Sequence, residues 1–302
     1  HIKSCELRTA DLLANLCYGK IMPISMFEHI NVIWEMPENW CEWDHVQGTL
    51  TRLEHYLVNL GFADRFIFIV TAKADNLAFA NTERAVVYQV SDEAHEIPEF
   101  AADVFMAFKN YRPFDPGPDT IRIVPLGCNK DVPALPVQDM TERSIDLFFS
   151  GWNQYRDDFY AAVNTFYPEV SRGPEIDIRR AEEFRSGHTP EIYAHKLAQT
   201  KLALCPRGVS HETFRIYEAM RAGCVVIAAR QLPAWFNDGW PVIEIDDWSE
   251  LKELADELLA DDKRLQEISL ETRAWWEEKC SEEAVAHYMA RELSVKLMKQ
   301  NI

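Results

Sequence analysis

The segment LALCPRGVSHETFRIYEAMRAGCVVIA, residues 202–228, decides the fold of this chain. An apolar run at 202–206 ends in a Pro-Arg-Gly turn, and a β-branched run follows Gly223. The residues between them have helical spacing, and Gly223 stands where a glycine commonly ends a helix. The sequence therefore predicts a strand, a helix from about residue 211 and a second strand, as in proteins with parallel sheets.

The same alternation of strands and helices continues through the rest of the chain. In the first half, strands are predicted at 31–36, 65–70, 84–90, 103–109 and 121–127, with a helix at 49–60. In the second half, further strands are predicted at 145–151, 175–180 and 241–245, with helices at 154–165, 190–201, 249–261, 263–279 and 282–299. Residues 128–143 contain two prolines and have no periodicity, which is typical of a linker. We therefore expect an N-terminal domain over residues 1–140 and a C-terminal domain over residues 141–302.

The composition indicates an acidic, globular protein. The 302 residues include 31 Lys and Arg against 49 Asp and Glu, which gives a net charge of −18. This charge repels nucleic acid phosphates, so nucleic acid is not expected as a partner. The seven cysteines have no CxxC spacing, and no apolar run is long enough for a membrane span. We expect a cytoplasmic protein, at most peripheral to a membrane, and allow for a segment that precedes His1.

The turn before the predicted helix has the character of an anion site. Backbone N–H groups and the helix dipole attract negative charge there, and Arg207, Gly208 and Ser210 suit a phosphate. On a helical period His211, Arg215 and Glu218 share one face. Ordinary capping by Ser210 and an Arg215–Glu218 pair explain the same residues, and spacing alone leaves both interpretations open.

The segment resembles the C-terminal signature of exostosin-like glycosyltransferases. The residues that carry this resemblance are Pro206, Gly208, Arg215, Tyr217, Glu218, Ala219, Gly223 and Cys224. Looser similarity is found in LPAWF (232–236), WPVIEID (240–246), IDLFFSGWNQYRDDFYAAV (145–163), IRIVPLGCNK (121–130) and VVYQVSDE (86–93).

The resemblance implies an α/β protein of GT-B architecture, in which two Rossmann-like domains face each other across a cleft and the C-terminal helices pack back toward the first domain. It also implies a nucleoside-diphosphate sugar as donor, with a UDP-sugar favoured, and a glycan or lipid-linked saccharide as acceptor. Arg215 would contact phosphate and Glu218 the ribose hydroxyls. The full set of expected donor-binding residues is Gly151, Arg156, Arg207, Gly208, Ser210, His211, Glu212, Arg215 and Glu218.

The reaction expected from the resemblance is an inverting transfer without a metal or another cofactor. The chain has no D-x-D triplet, and arginines beside a helix N-terminus can stabilise a diphosphate leaving group. The residue that takes the acceptor proton is expected at Asp92 or Glu93, after the strand at 84–90. The same two residues also suit the first turn of a helix capped by Ser91.

Other candidates for these roles remain open. Asp75 and Glu96 are alternative bases, and His211 is an alternative acid on the donor side. If the enzyme retains the anomeric configuration, a nucleophile is expected at the donor site, and Glu212 becomes a stronger candidate for it. For the acceptor side, Lys109 and Arg112 at a strand end are expected to contact an anionic group.

Two other functions remain open from the sequence. One is a non-catalytic glycan-binding or partner subunit with the same fold, and the other is a sugar-nucleotide epimerase, which needs no acceptor. The presence of Asp92, Glu93, Arg215 and Glu218 argues for the transferase.

Overall fold

The structure is a computed structural model that describes residues 27–75, 77, 82–173, 175–183 and 186–300. Its elements form two five-stranded parallel sheets. The strands of the first sheet lie side by side in chain order. They are β1 (Asn31–Trp34), β2 (Ile67–Thr71), β3 (Ala85–Gln89), β4 (Met106–Lys109) and β5 (Ile121–Ile123).

The second sheet reverses its strand order in the middle. Its strands are β6 (Ile145–Trp152), β7 (Ile176–Ala181), β8 (Thr200–Cys205), β9 (Val225–Ala229) and β10 (Ile243–Ile245). The spatial order is β10-β9-β8-β6-β7, so the chain turns back between β6 and β8. Ligands of open α/β sheets bind beyond the strand ends at such a switch point.

Seven α-helices flank the described strands. They are α1 (Trp43–Leu60), α2 (Asp157–Phe166), α3 (Pro190–Ala198), α4 (Phe214–Arg221), α5 (Leu251–Leu259), α6 (Asp262–Trp275) and α7 (Glu282–Gln300). Both sheets and nearly all helices therefore agree with the predicted elements, with boundaries that differ by a few residues.

Helix α7 lies against the first sheet although it follows the second sheet in sequence. Val285, Met289 and Leu293 are buried in the same apolar cluster as Leu50 and Leu57 of α1. These positions repeat every three or four residues, so each helix presents one apolar stripe to the core. The predicted return of the C-terminal helices to the first domain is confirmed for α7, whereas α6 contributes Leu265 and Ile268 to the core of the second sheet.

The start of helix α4 differs from the prediction. Thr213 is the N-cap residue with an extended backbone, so Ser210, His211 and Glu212 belong to the preceding loop. His211 consequently does not share a helical face with Arg215 and Glu218, and this part of the prediction is wrong. The end of the helix agrees with expectation, because Gly223 has a φ of 67° and donates its N–H to the Met220 carbonyl at 3.0 Å.

Candidate functional site

A cavity of about 700 Å³ lies between loops of the two sheets. Its first wall consists of loops that follow β1, β3 and β4, and includes Trp40, Glu42 and Glu93. Its second wall follows β6 and β8, and includes Arg156 and Arg215. The carboxyl ends of strands from both sheets thus face one cleft, at the switch point of the second sheet.

Two arginine side chains on the second wall lie over the same aromatic ring. The guanidinium carbons of Arg156 and Arg215 are each 5.4 Å from the centroid of Phe149. Arg156 is 5% exposed and its Nε has no hydrogen-bond partner, while the Nε of Arg215 donates to the Ser150 carbonyl at 2.8 Å. Within the described residues, neither guanidinium forms a salt bridge with a carboxylate. Two positive charges without a salt-bridge partner in the described residues therefore face the cavity.

The electrostatics of this pair favour an anionic ligand. Burial, together with the neighbouring charge of Arg215, lowers the pKa of Arg156 to about 9. Both causes penalise the charged guanidinium in the empty cleft. A bound anion relieves that penalty, and charge-assisted hydrogen bonds to phosphate suit guanidinium groups well.

Two glycines let the arginines approach the backbone. A Cβ atom on Gly151 would lie 2.5 Å from Nη2 of Arg215, and one on Gly208 would lie 3.2 Å from Nη2 of Arg156. Larger residues at these positions would displace the guanidinium groups. The structure therefore brings together Gly151, Arg156, Gly208 and Arg215, as the sequence predicted.

Three other predicted donor residues have structural partners. Arg207 is exposed, does not line the cavity, and donates to the carbonyls of Gly208 and Val209. The Nδ1 of His211 donates to the Arg230 carbonyl at 2.8 Å, and His211 does not line this cavity either. Ser210 does line it, but its hydroxyl lies 2.9 Å from Nε2 of His95, which belongs to the first domain. These contacts shape the loop and join the domains.

Glu212 and Glu218 bind backbone groups of the segment that links the two sheets. Oε1 of Glu212 accepts from the Leu126 N–H at 2.9 Å, and Oε1 of Glu218 accepts from the Asn129 N–H at 3.2 Å. Burial raises the pKa of both carboxyl groups. Glu212 lines the large cavity, so it remains near the donor side.

A second cavity of about 270 Å³ continues from the first. Glu218 lines it together with Gly151, Tyr193 and Asn129, whereas Arg215 lines both cavities. Glu218 and Arg215 thus line the same cavity, and the charge of Arg215 opposes the rise that burial causes in the pKa of Glu218. This arrangement suits a ligand that has an anionic group beside a hydroxyl-bearing ring.

Asp92 and Lys109 form a buried ion pair instead of facing the cleft. The Lys109 ammonium donates to Oδ2 of Asp92 and to the Tyr111 carbonyl, each at 2.7 Å, and both side chains are less than one-tenth exposed. Asp92 also accepts from the Glu96 N–H at 3.0 Å. Neither Asp92 nor Lys109 lines the cavity. Their position indicates a bracing role.

Among the remaining candidates of the first domain, one lines the large cavity and the others do not. Arg112 donates to the Pro233 carbonyl and does not line the large cavity, and neither do Asp75 and Glu96. Glu93 does line it, and burial raises the pKa of its carboxyl group while the charge of Arg156 opposes this rise.

Residues 91–96 form no helix, and Ser91 has a φ of 58°. The alternative of a Ser91-capped helix is therefore wrong.

Of the side chains that precede helix α1, sequence reasoning missed Glu42, whereas Trp40 is a candidate for stacking on a sugar ring from the sequence, with loop packing as its commoner use. Trp40 and Glu42 line the first wall, and Glu42 is 2% exposed. A glutamate directly before a helix is usually explained by the helix dipole, which hides any other role. The cluster of tryptophans and carboxylates in WEMPENWCEW (34–43) was the available signal.

Sequence comparison finds a family similarity within the C-terminal half of the chain. Residues 176–279, which contain the Arg215 and Glu218 helix, match one family model over about a third of the chain. This region is similar to the RXYLT1 C-terminal domain. The RXYLT1 C-terminal domain is of the exostosin-like xylosyltransferase family, and the match contains all of residues 202–246. The predicted resemblance is therefore confirmed. No curated protein matches the chain in sequence.

Solved structures confirm the GT-B fold. An α-glucosyltransferase in complex with UDP is 8% identical over 88% of this chain and 99% of its own, with a TM-score of 0.51. An α-glucosyltransferase in complex with UDP and a 13-mer DNA is 9% identical over 80% of this chain and 84% of its own, with a TM-score of 0.50. At these identities the similarity shows the fold alone.

In the described ranges, no three His, Cys, Asp or Glu side chains are grouped so that they could hold a metal ion. None of the helices in that part of the chain is long and apolar enough to cross a membrane.

Proposed function

We propose that this protein transfers a sugar from a nucleoside-diphosphate sugar to a hydroxyl group of a glycan or lipid-linked saccharide. The observation that carries the proposal is the pair Arg156 and Arg215, which face the cleft over Phe149 without a salt-bridged counter-charge in the described residues. A diphosphate supplies that counter-charge. UDP is the nucleotide we favour, because both solved α-glucosyltransferases named above hold UDP.

The donor would lie across the two adjoining cavities. Its diphosphate would bind Arg156 and Arg215 beside Gly151 and Gly208, and its ribose hydroxyls would donate to Glu218. The domains would divide near residue 140, with the donor in the C-terminal one. Because two guanidinium groups can neutralise the leaving diphosphate, we propose a reaction that needs no divalent metal.

The proposed chemical step is a displacement at the anomeric carbon. The acceptor oxygen forms a bond to that carbon, the bond to the diphosphate oxygen breaks, and its electron pair leaves with the nucleoside diphosphate. The acceptor proton passes to a carboxylate of the first domain. Glu93 fits this role better than Asp92, since it lines the cavity and carries no buried ammonium partner.

The proposal is tested by nucleotide binding and donor turnover. We expect UDP to bind and to raise the melting temperature, and donor consumption to require an acceptor, with or without EDTA. Glu218→Ala should weaken UDP binding by about tenfold or more, as expected for loss of a hydrogen bond to a charged group. Absence of binding by every nucleoside diphosphate would overturn the proposal.

The variants of the first domain separate catalysis from stability. Glu93→Gln should reduce turnover with UDP affinity unchanged. Asp92→Asn should instead lower the melting temperature, because the Lys109 ammonium loses its buried partner, at a cost of about 3–5 kcal/mol. Normal turnover by Glu93→Gln would assign the proton to another group.

The two alternative functions give different outcomes in the same assays. UDP binding without any donor consumption indicates a non-catalytic subunit, and conversion of the donor to an isomer without acceptor indicates an epimerase. Duplex DNA belongs among the acceptors tested, because one structural neighbour was solved with DNA. Given the net charge of −18, we predict no transfer to DNA.

A further inference from the structure

A hydrogen-bonded chain of three side chains lies on the first wall of the large cavity. The Trp40 indole N–H donates to Oγ of Ser91 at 2.8 Å, and the Ser91 hydroxyl donates to Oε1 of Glu42. All three residues line the cavity. The Ser91 hydroxyl, from the loop after β3, thereby holds one aromatic ring and one carboxylate of the loop after β1 in a fixed relation.

The carboxylate of Glu42 is only partly satisfied by this chain. Glu42 is 2% exposed, and its Oε2 has no hydrogen-bond partner in the described structure. Burial and the nearby charge of Glu93 raise the pKa of Glu42, while the Ser91 hydrogen bond opposes the rise. A buried carboxylate oxygen without a partner is costly, and a ligand hydroxyl can provide the missing hydrogen bond.

The backbone of Ser91 supports a functional origin for this arrangement. Its φ of 58° is a left-handed conformation that non-glycine residues seldom adopt. Strain of this kind persists where surrounding contacts impose it and is concentrated in binding sites. Here the strained residue is the one that joins Trp40 to Glu42.

The charges around the cavity distinguish its two walls. The first wall carries the carboxylates Glu42 and Glu93, and the cations predicted for an anionic acceptor are used elsewhere. Lys109 is paired with Asp92, and Arg112 binds the Pro233 carbonyl. An anionic ligand on this wall would face carboxylates, and like charges brought together in this way cost several kcal/mol.

We propose that Trp40, Ser91 and Glu42 form an acceptor subsite for an uncharged sugar ring. The ring would stack on the Trp40 indole, and one of its hydroxyls would donate to Glu42. Sugars that carry a phosphate or carboxylate would be rejected. This inference rests on the proposed glycosyltransferase function and specifies its acceptor.

The test measures binding of simple sugars to the full chain in the presence of saturating UDP. Saturation-transfer NMR would compare neutral methyl glycosides of common hexoses and pentoses with glucose 6-phosphate and glucuronic acid. We expect one or more neutral glycosides to bind and the two anionic sugars to bind at least about tenfold more weakly.

Two variants and a matched control connect this binding to the subsite. Trp40→Ala and Glu42→Gln should each weaken glycoside binding by about five- to tenfold. Their affinity for UDP should be unchanged. Glu38→Gln removes an exposed carboxylate from the same loop that does not line the cavity, and should behave as the wild type.

The outcomes separate failure of this inference from failure of the proposed function. Equal binding of anionic sugars, unchanged binding by both variants, or no binding of any neutral glycoside overturns the acceptor subsite even if UDP binds. If UDP does not bind but glycosides do, and both variants lose them, the subsite stands and the transferase proposal fails.

Discussion

Arg156 is the residue whose environment most directly reports on the proposed ligand. Its guanidinium is buried beside a second positive charge, and its pKa is lowered to about 9. An anion stabilises the protonated form and therefore raises that pKa on binding. Proton uptake and ligand binding are thus coupled at this residue.

This coupling predicts a pH dependence of nucleotide affinity. The protein should bind UDP with its full affinity at pH values well below 9. The affinity should fall as the pH rises through about 9, because the free protein then loses the Arg156 proton, which the complex retains. Isothermal titration calorimetry between pH 7 and 10 measures the effect.

The control for this prediction is Arg156→Met. It should bind UDP about 10- to 100-fold more weakly at pH 7, as expected for loss of a charged hydrogen-bond donor. Any titration of UDP itself remains in the variant, so the difference between the two profiles isolates Arg156. Identical profiles would contradict a role for Arg156 in binding.

At the scale of elements, strand β6 and helix α4 are fitted to each other at Gly151. The end of β6 lies against the Arg215 guanidinium, which helix α4 supplies, and no side chain fits between them. The strand–helix contact therefore sets the position of one of the two arginines.

Gly151→Ala should displace the Arg215 guanidinium. A Cβ at 2.5 Å from Nη2 forces the side chain to move, and we expect UDP affinity to fall by about tenfold or more. The melting temperature should change little if the flexible arginine yields. Ser144→Ala, just before the same strand at its other end, is the control. Unchanged affinity would show that this contact does not position the donor.

The sequence predicted both sheets, all the strands named above and the return of α7, because apolar periodicity is a local property of the chain. It misplaced the start of α4, since Ser210 resembles an N-cap and the loop geometry that makes Thr213 the N-cap depends on neighbouring segments. Asp92 and Glu93 looked equivalent in sequence. The tertiary structure distinguishes them, because Asp92 pairs with the buried ammonium of Lys109, seventeen residues away, whereas Glu93 lines the cavity.

At the scale of the whole molecule, Trp235 joins both sheets and the last helix. Its indole N–H donates to the Ile123 carbonyl of the first sheet at 2.8 Å. Its ring stacks on Tyr288 of α7, with centroids 4.2 Å apart and planes 17° apart. The Trp235 side chain therefore helps to fix the position of one wall of the cleft relative to the other.

Trp235→Ala should loosen the two walls. We expect a loss of about 2 kcal/mol in the free energy of unfolding, less than for a fully buried tryptophan. Donor turnover should fall more than UDP affinity, because UDP contacts mainly one wall. Trp235→Phe keeps the stacking and should show a smaller effect, whereas Val170→Ala, which is 96% exposed in the wild type, should show none. A parallel loss of affinity and turnover would contradict this division.

The sequence by itself determined the two parallel sheets, the family similarity of residues 176–279 and the arginine–glutamate helix. These features depend on local periodicity and on motifs within short segments. The tertiary structure alone decided that Arg156 and Arg215 both lie over the Phe149 ring and that Asp92 is paired with Lys109. It also decided that Ser91 connects Glu42 to Trp40 by hydrogen bonds. Each of these contacts joins residues that belong to different strands or to segments after different strands, so it exists only once the sheets have brought their strand ends together.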